Sequence, residues 1–251
     1  MCLIAFSLNE HPDYQLVLAA NRDEFYERET DYAHWWEPDH SILAGKDLKA
    51  GGTWMGISKS GRFAAITNYR DPQNIRSDVR SRGELAVNYL KGDLDPKTYL
   101  EKVDGKNYNG FNLLLIENGQ AYHLSNYENR VNEISKGTFG LSNALLDTPW
   151  PKLEKLKLLL KEKLDSTVTH DKILKTLEDK TLAEDQLLPE TGVPYEWEKA
   201  LSAICIETEN YGTCCSTVIT IDKRGQVNFS ERSFPVGDRI DKIVNYAFQI
   251  S

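Results

Sequence analysis

The opening pair of strands constrains the fold more than any other part of the sequence. Residues 2–8 and Gln15–Ala20 are runs of mostly apolar residues, and a polar turn separates them. Two such runs joined by a short turn predict a β-hairpin. Because neither run alternates between apolar and polar residues, we expect the sheet that contains them to be covered on both faces.

The rest of the chain predicts strands near both ends and helices between them. Further strands are predicted at residues 53–58, 62–67, 111–116, 120–124, 138–142, 202–206, 216–221 and 226–231. Helices are predicted at residues 83–90, 95–103, 152–164 and 170–178. We expect irregular structure at residues 25–50, a loop or short helix at 179–199, and a closing helix or irregular tail from Ile240. Residues 73–82 are expected to form a solvated loop, and the alternative is that their arginines attract an anionic group.

This order of elements predicts a single α+β domain over residues 1–251, since the sequence contains no linker, repeat or low-complexity segment. Strands that are apolar on both faces need a covering layer on each side. Two antiparallel sheets packed face to face, with helices outside them, meet that need.

Composition and charge argue against several classes of protein. The formal net charge is −8 without an offsetting basic stripe, which argues against a nucleic-acid partner and leaves open only a local basic pocket. The 4 cysteines, including the adjacent pair Cys214-Cys215, are expected to be reduced thiols of a cytoplasmic protein. Neither they nor the 5 histidines have metal-ligand spacing, so no metal or other cofactor is predicted. No apolar run is long enough to span a membrane, and the oligomeric state stays open.

Polar residues at the ends of buried strands predict a functional site. Asn21-Arg22-Asp23-Glu24 directly follows the second strand, Asn68 follows the strand at 62–67, and Asn143 follows the strand at 138–142. In a simple hairpin register, the end of the second strand lies beside the start of the first. Polar residues that interrupt a buried pattern tend to mark sites, although a solvated strand end is the alternative.

Cys2 is the candidate nucleophile. The initiator Met1 is routinely removed before a small residue, and its removal would give Cys2 a free α-amino group beside its thiol. An α-amine has a pKa of about 7.7–8.0, so it can act as a base near neutral pH. Nucleophile and base would then belong to one residue. The alternative is that Cys2 packs in the core as a small apolar side chain.

Seven short motifs, in order along the chain, resemble one known family. They are Met1-Cys2-Leu3-Ile4, Asn21-Arg22-Asp23-Glu24, Gly51-Gly52-Thr53-Trp54, Thr67-Asn68-Tyr69-Arg70-Asp71-Pro72, Leu141-Ser142-Asn143-Ala144, Tyr211-Gly212-Thr213 and Ser230-Glu231-Arg232-Ser233. Over nearly its whole length the chain thus resembles the NRDE family, also called the transport-and-Golgi-organisation family. That family in turn resembles the N-terminal-nucleophile hydrolases, particularly penicillin V acylases, bile salt hydrolases and acyl-CoA-dependent acyltransferases.

The resemblance implies a fold and a set of site residues. The implied fold is a four-layer αββα sandwich, and the implied ancestry is amide-bond hydrolysis or acyl transfer. In that pattern Cys2 matches the nucleophile, and Arg22 matches an arginine that would favour the thiolate. Asn143 matches an asparagine that helps to hold the oxyanion, and Asn68 is a further candidate donor to the oxyanion or the α-amine.

Two positions depart from the pattern of the hydrolases. Their carboxylate that holds the α-amine lies three residues after the arginine, where this chain has Phe25. Asp23 or Glu24 would replace it only with a different local backbone. Family members usually read Tyr-Gly-Thr-Arg, and this chain has Cys214 in place of that arginine. The lost charge would stabilise a thiolate or bind an anionic group of the substrate.

Two functions follow, and the sequence leaves both open. The first is an enzyme, a C–N hydrolase or acyltransferase acting on a small amide or thioester. Its catalytic residues would be Cys2, Arg22, Asp23, Asn68 and Asn143. The second, also implied by the resemblance, is a non-catalytic protein that binds or carries haem, a lipid or acyl-CoA in the same cleft. A further alternative, which Cys214 favours, is a structural protein whose site is no longer active.

Overall fold

The computed structural model describes residues 2–38, 40–235 and 240–251, and strands dominate it. The strands are β1 (Cys2–Leu8), β2 (Tyr14–Phe25), β3 (Thr30–Trp35), β4 (Ile42–Asp47), β5 (Met55–Ser58), β6 (Phe63–Asn68), β7 (Phe111–Glu117), β8 (Gln120–Ser125), β9 (Arg130–Ile134), β10 (Gly137–Leu141), β11 (Tyr211–Asp222), β12 (Gln226–Ser233) and β13 (Lys242–Gln249). The helices are α1 (Gly83–Lys91), α2 (Pro96–Glu101), α3 (Pro151–Leu164), α4 (His170–Thr176) and α5 (Tyr195–Ala200).

The strands form two antiparallel sheets. One sheet has 6 strands in the order β10-β1-β2-β11-β12-β13, and the other has 7 strands in the order β3-β4-β5-β6-β7-β8-β9. The predicted opening hairpin is confirmed, because β1 pairs with β2 along its whole length. The first strand also pairs with β10 on its other side, so both of its edges are hydrogen-bonded.

The core has three apolar layers, and these account for strands that are apolar on both faces. Ile4 and Phe6 of β1 point between the sheets, where they pack with residues of the second sheet such as Phe63. Leu3 and Ala5 point outward and pack against α3 and α4. On the far side, α1 and α2 cover the outer face of the 7-stranded sheet. The expected four-layer αββα sandwich is therefore confirmed.

The structure corrects the expectation that residues 25–50 are irregular. They contain β3 and β4, and the first of these is the edge strand of its sheet. Edge strands are only half covered, so β3 lacks a continuous apolar run. Gly45 lies in β4, where a side chain at its position would come within 3.0 Å of the carbonyl oxygen of Asp31. Because a glycine that permits this close backbone approach interrupts the apolar pattern, the sequence did not indicate a strand here.

The expectation of a closing helix or irregular tail is also wrong. Ile240, Ile243, Val244 and Ala247 have helical spacing, yet the segment from Lys242 forms β13. Pairing with β12 satisfies its backbone, and every second side chain from Val244 is half-buried against the sheet. The tertiary ladder therefore overrides the local apolar spacing.

The strand predicted at residues 202–206 does not form. The segment is buried, but it makes turns and bends. Its amides bond outside any ladder: Cys205 donates to the Asp179 carbonyl at 2.8 Å, and Ile206 donates to Thr213 Oγ1 at 2.8 Å. A buried segment does not have to be a strand, provided that its backbone groups are hydrogen-bonded. Here a loop carbonyl and a side-chain hydroxyl accept the hydrogen bonds of its amides.

His123 is a completely buried polar residue of β8. Its Nε2 lies 3.2 Å from Oδ1 of Asn112, which also donates through Nδ2 to Thr67 Oγ1 at 3.2 Å. Burial lowers the pKa of His123 from its ordinary value of 6.5 to about 4. The folded protein therefore holds this imidazole neutral at pH values where an exposed histidine would be protonated.

This shift predicts a pH-dependent loss of stability. As pH falls from 6.5 to about 4, the unfolded chain binds a proton that the folded chain excludes, so the free energy of unfolding decreases. The full shift corresponds to about 3 kcal/mol. His123→Gln should remove most of this decrease, measured by urea unfolding at pH 7 and pH 4.5. His40→Asn at the surface serves as control, and an unchanged pH dependence in His123→Gln would contradict the assignment.

Candidate functional site

The start of β1 is the point where the polar strand ends meet. In the antiparallel pairing of β1 with β2, Cys2 lies directly opposite Arg22. On its other side, Ile4 pairs with Leu141, so the same register continued by two residues brings Asn143 across from Cys2. The predicted proximity of the end of the second strand to the start of the first is confirmed.

A cavity of about 130 Å³ lies at this position between the two sheets. Cys2 and Arg22 line it from the 6-stranded sheet, and Asn68 lines it from the end of β6. Thr53 and Trp54, which precede β5, form part of the opposite wall. The cavity is the place where a small group could reach the Cys2 thiol.

Cys2 and Arg22 project from neighbouring strands toward the same face. Burial raises the pKa of the Cys2 thiol to about 11, and the positive charge of Arg22 opposes that rise. The guanidinium lies 3.7 Å from Oε2 of Glu24. Its Nη1 is buried and donates to no acceptor within the described part of the chain. Arg22 thus retains hydrogen-bonding capacity next to the thiol.

Asp23 points to the opposite face of β2, because successive side chains of a strand alternate. It is fully buried, and its Oδ1 accepts a hydrogen bond from Thr213 Oγ1 at 2.8 Å. Burial raises the pKa of Asp23, and the charge of Lys152 opposes this. Burial likewise lowers the pKa of Lys152 to about 8, and the charge of Asp23 opposes that shift. The carboxylate and the ammonium therefore compensate each other on the helix side of the sheet.

A β-bulge in β11 lies beside these residues. Thr213 pairs with Asp23 and Cys215 pairs with Arg22, so Cys214 is the extra residue of the bulge. Its sulfur is buried, 3.5 Å from the carbonyl oxygen of Gly212. It is not among the residues that line the cavity. A buried thiol that does not face the cavity therefore occupies the position at which the resemblance implies an arginine.

The two candidate asparagines are in contact, and only one of them faces the cavity. Asn143 is buried, and its Nδ2 donates to the carbonyl oxygen of Asn68 at 2.9 Å. The carbonyl of Asn143 accepts from the amide of Arg70 at 2.7 Å. Asn68 lines the cavity directly, whereas Asn143 holds the backbone beside it. Their part in binding an oxyanion stays a prediction.

Two cations of the site were not identified from the sequence. Lys152 is buried in the first turn of α3, four residues before the buried Leu156, so its place on the apolar face was a usable signal. Arg82 was assigned to a solvated loop, but it lines the cavity and donates through Nη1 to the Gly110 carbonyl at 2.9 Å. Nothing in the local sequence distinguishes it from Arg80, which is exposed.

The expectation of reduced thiols agrees with the structure, which holds no disulfide between the four cysteines. All four cysteines are buried and unbridged, including the adjacent pair Cys214-Cys215. Across the described ranges, no group of three or more His, Cys, Asp or Glu side chains is placed to hold a metal ion. The described residues also include no helix that is long and apolar enough to cross a bilayer.

The two packed sheets between helices have the fold of the N-terminal-nucleophile hydrolases. The structure is similar to the Caenorhabditis elegans ortholog of N-acylethanolamine-hydrolyzing acid amidase, with a TM-score of 0.55 and 10% identity over 87% of this chain and 92% of that chain. It is also similar to the C2A mutant of conjugated bile acid hydrolase from Clostridium perfringens, with a TM-score of 0.50 and 8% identity over 100% of this chain and 98% of that chain.

The chain belongs to the family Transport and Golgi organisation 2, whose model matches residues 1–235. It is 38% identical to the human Transport and Golgi organization protein 2 homolog and 37% identical to the mouse homolog, in each case over 257 residues and 93% of both chains. The Drosophila melanogaster protein of that name is 28% identical over 265 residues, which are 93% of this chain and 92% of that protein. These names state the family and no reaction.

The pairing of Cys2 with Arg22 predicts a measurable change in thiol reactivity. Removing the guanidinium in Arg22→Gln should raise the thiol pKa further, since a nearby cation favours the thiolate. One additional pKa unit lowers alkylation of Cys2 by iodoacetamide at pH 8 by about tenfold. The rate is measured by peptide mass spectrometry. Arg224→Gln, at an exposed turn, is the control, and equal rates in all three proteins would rule out the proposed influence of Arg22.

Proposed function

We propose that the protein is a cysteine N-terminal-nucleophile hydrolase that acts on a small amide or thioester. Cys2 is the nucleophile after removal of Met1. The observation that carries the proposal is the position of Cys2: its thiol lines a cavity next to a buried guanidinium, at the start of the first strand of this fold. The family names are silent on the reaction, so the chemistry rests on this arrangement.

The α-amine of processed Cys2 is the proposed base. Asp23 is the buried carboxylate closest in sequence to the Arg22 that pairs with Cys2, and its charge acts on the Cys2 thiol. A carboxylate at this position can hold the α-amine by a hydrogen bond, which would orient it toward the thiol. Asp23 thus takes the part that the hydrolase pattern assigns to the position of Phe25.

The reaction proceeds in two halves. The α-amine takes the thiol proton while sulfur attacks the carbonyl carbon, and the negative charge moves to the carbonyl oxygen. Asn68, which lines the cavity, is the proposed side-chain donor to this oxyanion, and Asn143 is proposed to support it by holding the Asn68 backbone. Collapse breaks the C–N or C–S bond, the leaving group takes the proton from the α-ammonium, and an acyl thioester forms on Cys2. Water, deprotonated by the α-amine, then releases the acid; an acceptor amine in its place gives acyl transfer.

A second function has one specific observation in its favour. Burial raises the pKa of the Cys2 thiol to about 11, so the thiol is a weak nucleophile at neutral pH unless a base removes its proton. The alternative is therefore a non-catalytic binding or trafficking protein for haem, a lipid or acyl-CoA in the same cleft. The cavity of about 130 Å³ is smaller than typical ligand pockets of about 300–1,000 Å³, so such ligands require it to widen.

The proposed hydrolase is tested with Cys2→Ala. This variant removes only a sulfur atom, so it should fold, and it should lose hydrolysis of a panel of fluorogenic small amides and thioesters by at least a thousandfold, since no nucleophile is left. Cys205→Ala is the matched control, because Cys205 is also buried but does not line the cavity. Hydrolysis that persists unchanged in Cys2→Ala rules out Cys2 as the nucleophile.

Two further measurements separate the alternatives. The intact mass of the native protein shows whether Met1 is removed, and a retained Met1 leaves the proposed mechanism without its base. Spectral titration with haemin and calorimetry with an acyl-CoA test the binding function. Tight binding of either one by a protein that hydrolyses no member of the panel would favour the second function.

A further inference from the structure

The charged side chains that line the cavity do not all compensate one another. Three arginines and three acidic residues contribute to the lining: Arg22, Arg28, Arg82, Asp23, Glu24 and Asp47. Asp47 is bound by Arg28, with 2.6 Å between its Oδ2 and the arginine Nη2. Glu24 lies between Arg22 at 3.7 Å and Arg28 at 3.8 Å. Asp23 bonds to Thr213 on the other face of the strand.

Arg82 is the cation without a matching carboxylate. Ion pairs within 4.0 Å among the described residues do not include it. The one described hydrogen bond of its guanidinium goes from Nη1 to the carbonyl oxygen of Gly110, at 2.9 Å. The carboxylate of Glu84, two residues further on, is bound instead by Arg80 and by Tyr108 Oη. A half-buried guanidinium with spare donors therefore faces the cavity.

The N-terminal end of α1 faces the same space. Ser81, Arg82 and Gly83 line the cavity, and α1 continues for nine residues from Gly83. Arg82, the residue before the helix, makes no side-chain hydrogen bond that would cap it. A side chain at Gly52 would come within 2.7 Å of the Gly83 backbone, so the two glycines keep this wall free of side chains. The unobstructed start of a helix carries partial positive charge.

Arg22 supplies an independent observation that points to a ligand. Its side chain is 6% exposed and lines the cavity. The buried Nη1 donates to no acceptor among the residues that the structure describes. An unsatisfied buried donor costs free energy, and an acceptor that enters the cavity would remove that cost.

We propose that Arg82, the N-terminal end of α1 and Nη1 of Arg22 form a binding site for an oxyanion, a carboxylate or phosphate group of the molecule that reaches Cys2. The inference rests on the proposed function in so far as it names a part of that substrate: the substrate carries an anionic group a short distance from its reactive carbonyl. Three sources of positive potential converge on one small cavity, and guanidinium groups suit both oxyanions.

Alkylation of Cys2 by two reagents of similar size tests the site without turnover. Iodoacetate carries a carboxylate, whereas iodoacetamide is neutral. For each reagent, the alkylation rate of Cys2 in the folded protein is divided by its rate in the same protein unfolded in urea. The value for iodoacetate divided by the value for iodoacetamide gives a ratio that should be at least ten. Arg82→Gln should reduce this ratio by at least tenfold. Arg82→Lys should restore much of it, because the charge is kept, and circular dichroism checks that each variant is folded.

Arg80→Gln is the matched control. It removes an equal charge two residues away, but Arg80 is 59% exposed and pairs with Glu84 outside the cavity. The control should keep the ratio of the unmodified sequence. A ratio near one in that sequence, or an equal ratio in Arg82→Gln, would overturn the oxyanion site.

Competing anions distinguish the two sources of the oxyanion. Inorganic phosphate and acetate are added separately while iodoacetamide alkylates Cys2. Saturable protection by phosphate alone indicates a phosphate-bearing ligand, and protection by acetate alone indicates a carboxylate. Protection by neither overturns the proposal. Hydrolysis of neutral amides without anion steering would overturn the oxyanion site alone, and steering without any hydrolysis would overturn the hydrolase alone.

Discussion

The antiparallel register of β1 and β2 is the constraint on which the site depends. It places Cys2 directly opposite Arg22, and hydrogen bonds to β10 hold the other edge of the same strand. A shift of one residue would turn every side chain of a strand to the opposite face. Such a shift would turn Ile4 and Phe6 toward the helix layer and remove them from the core between the sheets. The packing of the sandwich therefore fixes which side chain lies next to the thiol.

The same alternation divides the polar segment of β2 between two tasks. Arg22 and Glu24 face the cavity, whereas Asn21 and Asp23 face the helix layer. Asn21 donates through Nδ2 to the carbonyls of Leu177 at 2.9 Å and Ile204 at 2.8 Å. Four consecutive polar residues thus hold two loops on one face of the sheet and build the charged side of the cavity on the other. A solvated strand end would have needed neither set of partners.

Sequence reasoning was sufficient where the signal was local or followed from pairing of adjacent strands. The hairpin, the two packed sheets and the proximity of Arg22 to Cys2 belong to this class. It failed where the deciding contact was distant in the chain. β13 forms a strand because β12 provides its ladder, although its apolar residues have helical spacing. Arg82 reaches the cavity because α1 packs against the sheet that carries Thr53, and no feature of residues 73–82 encodes that contact.

Burial sets the chemical problem that the site has to solve. A low dielectric disfavours charge, so it raises the pKa of the Cys2 thiol and would lower that of a buried α-amine. In the proposed mechanism the thiol is therefore a reluctant donor of its proton to the α-amine. Proton transfer becomes favourable only when the negative charge can pass at once to an oxyanion. Positive potential from Arg22 and Arg82 acts on sulfur during that passage. Fixed cations whose charges are incompletely compensated therefore stabilise this negative charge most. Arg82 makes one described guanidinium hydrogen bond, and Nη1 of Arg22 has no acceptor among the described residues.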